Sequence, residues 1–91
     1  MSRTRNALRN DLEVLSLLRD EVHLHAHLLE VDVRKKLEEL ERRWCELQAY
    51  IARAEVQGEE AGADMHTAIR LLIETLRTGY QGIAQVLRLP A

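Results

Sequence analysis

From residue 1 to 57 the apolar positions recur at steps of three and four, and neither Gly nor Pro interrupts them. That spacing, in a stretch dense in Leu, Glu, Arg and Ala, predicts one long helix over about 7–56. Asn10 with Glu13 three residues on forms a capping pair at its start, and a start nearer Ser2 or Thr4 is the alternative. The first breakers are Gly58 and Gly62, which predict a turn over about 57–63. Asp64 suits an N-cap there, a second helix follows over about 64–88, and Pro90 closes the chain.

The second helix has a single apolar stripe: Met65, Ala68, Ile69, Leu72, Ile73, Leu76, Tyr80, Ile83, Val86 and Leu87. Gly79 falls on that stripe, where a missing side chain admits a close neighbour, and Gly82 falls at its edge. The first helix changes character along its length. Its second half repeats at Val33, Leu37, Leu40, Trp44, Leu47, Ile51 and Ala54, one narrow seam flanked by opposite charges four apart. Its first half carries two stripes. Leu15, Leu18, Val22, Ala26 and Leu29 form one, while Val14, Leu17, Leu24, Leu28 and Val31 form another beside it. A helix apolar over so much of its circumference is expected to meet more than one neighbour.

Length then decides what can cover it. A helix over 7–56 is about 75 Å long and one over 64–88 about 37 Å, so the second covers only the 33–54 seam. The face over 15–31 is left to another protomer. The expected fold is therefore all-α: an antiparallel helical hairpin with one long arm, forming a single domain. It is expected to dimerise, antiparallel about a two-fold axis, into a four-helix bundle or antiparallel coiled coil. Leu15, Leu18, Val22, Leu24, Leu28 and Leu29 are the expected dimer interface. The competing arrangement breaks the first helix near Val31-Asp32-Val33 and closes as a monomeric three-helix bundle, but no Gly, Pro or Asn marks a turn there.

Composition removes several classes of function. Ninety-one residues with 46% hydrophobic and only 3% aromatic content suit one helical domain and neither a disordered chain nor an all-β one. A net charge of −2 leaves no basic surplus for nucleic acid. No apolar run is long enough for a membrane span, and no apolar segment follows Arg3, Arg5 and Arg9 as a signal peptide would require. One cysteine, Cys45, excludes a disulfide framework. A cytoplasmic protein is expected.

The residues that could carry chemistry are few. His23, His25 and His27 alternate, so on a helix only His23 and His27 share a face, where an i, i+4 pair could chelate a metal from the surface. His25 falls within the wide apolar face, in angular line with Glu21 and Asp32. Ionisable groups there require partners. In a dimer they form either a polar network that fixes register or a Glu/His site for a transition metal such as Zn or Fe. Glu-x-x-His, the inward pair of di-iron bundles, is absent. So are a phosphate-binding glycine loop and a nucleophile beside a base. Trp44 reads as a core anchor, and Tyr50 and Tyr80 as boundary residues with hydroxyls free to reach water. The leading expectation is a non-enzymatic scaffold or adaptor without cofactor. It would act through homo-oligomerisation and helix–helix contact, with another protein as a further possible partner. The alternative is a metal- or cofactor-binding bundle with Glu21, His25 and Asp32 at the dimer axis.

Overall fold

The computed structural model describes the backbone of residues 2–57 and 62–88 and the side chains of 8–57 and 64–88. Three helices account for nearly all of it: α1 (Ser2–Leu24), α2 (Val31–Gln57) and α3 (Ala63–Leu87). The expected turn over 57–63 falls mostly outside the described residues. Within that range Gly62 is extended and caps α3, which begins at Ala63, so Asp64 sits inside the first turn of the helix and does not cap it. A carboxylate there still favours the positive end of the helix dipole.

The continuous helix expected over 7–56 is instead two helices separated by a turn at 25–30. The break comes before the Val31-Asp32-Val33 point considered from sequence, and no breaker residue makes it. After Leu24 the backbone tightens to i→i−3 bonding: the Leu28 N–H donates to the His25 carbonyl and the Leu29 N–H to that of Ala26, both at 3.0 Å. Leu29 then turns extended, with φ −80° and ψ 142°. Two side chains attend the freed carbonyls. His25 Nδ1 lies 3.1 Å from the Glu21 carbonyl oxygen, and the Arg34 guanidinium donates to that of Leu29 at 3.1 Å.

Tertiary burial supplies the reason. By reversing, the chain places Leu15, Val22 and Leu29 in its own core with Leu37 and Leu47 of α2 and Ile69, Ile73, Leu76, Tyr80 and Ile83 of α3. Each large aliphatic side chain so buried contributes about 1.5–3 kcal/mol. That exceeds the hydrogen bonds lost at the turn, each worth about 1 kcal/mol net. Val86, expected on the buried stripe of α3, is exposed.

α3 packs against both other helices, while α1 and α2 approach each other mainly through long side chains. Leu40 of α2 stands against Gly79 of α3 and Glu41 against Tyr80. Each pair is about equally distant in sequence from the end of α2 and the start of α3, which the short connection allows only for antiparallel helices. A Cβ on Gly79 would come within 2.5 Å of Leu40 Cδ2, so the close neighbour here is a side chain rather than a backbone. Gly82, one turn on, has nothing within 4 Å of that position. The two glycines therefore separate space from helix propensity. Gly82→Ala is expected to stabilise the fold by about 1 kcal/mol. Gly79→Ala is expected to lose that gain to overlap with Leu40, and to recover it in a Leu40→Ala background. Thermal melts of the single and paired variants check this.

Candidate functional site

All three helices meet at one carboxylate. Glu41 of α2 accepts from Arg19 of α1, with Nε at 3.1 and 3.0 Å from its two oxygens and Nη2 at 2.5 Å from Oε1. The Tyr80 hydroxyl of α3 donates to Oε2 at 2.5 Å, and His23 Nε2 lies 2.9 Å from Oε1. The Arg19 guanidinium also covers the Trp44 ring, 5.0 Å from its centroid. No buried side-chain polar atom among the described residues is left unpaired.

The electrostatics follow from that crowding. Partial burial works against the Glu41 charge, but the hydrogen bonds from Arg19, Tyr80 and His23 outweigh it and hold its pKa below the ordinary carboxylate value. Burial, reinforced by the neighbouring carboxylate, keeps the Tyr80 phenol protonated far above its usual range. The bond to Glu41 raises Arg19 despite its partial burial. At neutral pH the phenol is thus a fixed donor and the carboxylate a fixed acceptor, an arrangement that latches helices together.

Sequence reasoning missed this cluster, and it set the Tyr80 hydroxyl free in water when the ring is buried and the hydroxyl is bound. The signal was present. Arg19 stands four after Leu15 and three before Val22, and Glu41 stands four after Leu37 and three before Trp44. Each is an ion on a core stripe, and the two have opposite signs.

The turn separates Asp32 from Glu21 and His25. With α1 ending at Leu24, Asp32 belongs to α2 and no longer lines up with Glu21 and His25. The side chains of Glu21 and Asp32 are exposed, and the partly exposed His25 ring is engaged with the Glu21 backbone. The surface pair separates too, since His23 is on α1 against Glu41 while His27 is exposed in the 3-10 turn. Among the described residues no three His, Cys, Asp or Glu side chains converge as they would around a metal ion.

The six expected interface residues divide. Leu15, Val22 and Leu29 are buried within the chain's own core and Leu18 is half-buried, whereas Leu24 and Leu28 are exposed. The second stripe is the one left uncovered: Val14, Leu17, Leu24, Leu28 and Val31 are each between 58% and 69% exposed. At about 100° per residue, Val14, Leu17 and Leu24 lie within an arc of about 80° on the side of α1 turned away from the buried Leu15 and Val22. Glu21 falls within that arc, Glu13 and Asp20 border it, and none of the three takes part in an ion pair among the described residues.

Glu41 gives the latch a direction in pH. Its folded pKa lies below the ordinary 4.5, so the stabilisation is fully present above that value and is lost as pH falls through the folded pKa. Glu41→Gln is expected to cost about 1.5–3 kcal/mol at neutral pH, the range for hydrogen bonds to charged groups. It should also flatten the loss of stability on acidification, as read by urea unfolding followed by Trp44 fluorescence. Set against known proteins, the chain matches no family model, no curated protein and no solved structure.

Proposed function

We propose that this chain is a non-enzymatic, cytoplasmic helix-interaction module that self-associates through α1 and so acts as a small scaffold. The observation that carries the reading is the set of large aliphatic side chains at Val14, Leu17 and Leu24 on α1, with Glu21 among them and Leu28 and Val31 exposed at the turn beyond, which the chain's own helices leave in water. Soluble domains seldom leave such a row uncovered, and contiguous apolar patches mark interaction sites. A fourth helix laid on this flank would turn the three-helix arrangement into a local four-helix one. The latch at Glu41 supports the role, because it fixes α1 against α2 and so presents the row on a rigid element. The free, exposed thiol of Cys45 fits a reducing compartment. No described helix is long and apolar enough to cross a membrane.

Sedimentation velocity over a wide concentration range tests this. The native chain is expected to associate as concentration rises. Leu17→Glu and Leu28→Glu should each weaken association by about tenfold or more, since desolvating a carboxylate costs more than the 1.4 kcal/mol per decade of affinity. Both residues face solvent, so both variants should keep the native Trp44 fluorescence and a cooperative melt. A native chain that stays monomeric throughout, or variants that associate unchanged, would sink the reading.

A further inference from the structure

A second uncovered surface lies between α2 and α3, with no α1 residue in its lining. It is an open groove of about 830 Å³. Val33 and Leu40 form its α2 wall; Gly79, Gly82, Ile83 and Val86 form its α3 wall. Lys36 and Arg43 stand on the α2 rim with Glu39 between them, and Glu74 lines the α3 side. We propose that the exposed row on α1 of one copy seats in this groove of a second copy, which rests on the reading that α1 is the self-association surface and names what receives it.

Length, charge and register carry the proposal. The row from Val14 to Leu24 and the groove wall from Val33 to Arg43 each span ten residues, about 15 Å of helix. Glu13 and Asp20 border the row seven residues apart, and Lys36 and Arg43 rim the groove at the same separation. An incoming α1 antiparallel to α2 can set Glu13 opposite Arg43 and Asp20 opposite Lys36 together. Because Leu40 abuts Gly79, that register fixes the levels on α3 as well. Leu17 then lies over the gap at Gly79 and Gly82, and Leu24 lies beside Val33 and Val86 at the groove's end. Glu39, between the two cations on the rim, is level with Ser16 and Leu17, about one turn from each incoming carboxylate. The parallel orientation also pairs the charges, but it carries Leu24 level with Leu47, past the end of the groove. Antiparallel seating is the one that uses the whole of both surfaces.

The row and the groove belong to different faces, so filling one leaves the other free. Such contacts are head-to-tail and add copies until a ring closes. The decisive experiment pairs two variants that each disable one face. Leu17→Glu removes the ridge and keeps the groove. Gly82→Glu keeps the ridge and fills the groove, at a position where nothing within 4 Å obstructs a side chain. Each alone is expected to sediment as a monomer with native Trp44 fluorescence, and a 1:1 mixture is expected to form a complex of two chains that grows no further. A mixture that stays monomeric would overturn the proposal. So would Gly82→Glu associating like the native chain while Leu17→Glu is monomeric, an outcome that leaves α1 as the association surface but seats it elsewhere. Native-like association by Leu17→Glu would remove the reading beneath both.

Discussion

One carboxylate sets the geometry of this bundle. α1 and α2 make little direct backbone approach, and what spans the distance between them is Glu41 with the long side chain of Arg19 and the ring of Trp44 beneath it. Tyr80 brings α3 to the same oxygen pair. An ion pair removed from water gains little unless its remaining hydrogen-bonding positions are filled. Here Arg19, His23 and Tyr80 fill them, each from its own direction. A purely apolar contact would tolerate sliding of α1 along α2. A carboxylate bound by three donors on two other helices does not, so the cluster fixes the rotation of α1 and thereby which of its stripes faces inward.

That rotation sorts α1 into two chemically similar faces with opposite fates. The stripe containing Leu15 and Val22 goes to the core, and the one containing Val14, Leu17 and Leu24 goes to solvent. Hydrophobicity alone does not distinguish them. The positions of Arg19 and His23 do, because only one rotation brings both to Glu41 while Leu15 and Val22 reach α3.

The helical class, the 33–54 seam and most of the α3 stripe were legible in the sequence, because three-four spacing and helix-favouring composition agree there. The two stripes on the first helix were legible as well, though not which of them the chain would keep for itself. The turn at 25–30 was not legible. It contains no Gly, Pro or Asn, and each of its residues would sit comfortably in a helix. It forms because Leu29 and the residues before it gain more by packing than the backbone loses, a comparison between distant parts of the chain that local periodicity does not register. A continuous helix also kept Asp32 in line with Glu21 and His25, an alignment the turn removes. The latch was missed for a related reason, since Arg19 and Glu41 are 22 positions apart and become neighbours only once the chain reverses.

A turn held by its surroundings also alters what a spectrum of this protein means. Residues 25–30 adopt their bend only while the core behind them is assembled; released from it, their own preferences run toward helix. Loosening the tertiary structure therefore need not lower the backbone helicity and can extend it across the joint, much as compact states with lost packing keep their secondary structure. For this chain, far-ultraviolet ellipticity counts helical residues without reporting whether they are folded against one another. The indole of Trp44, lodged under Arg19, is the better witness of the native arrangement.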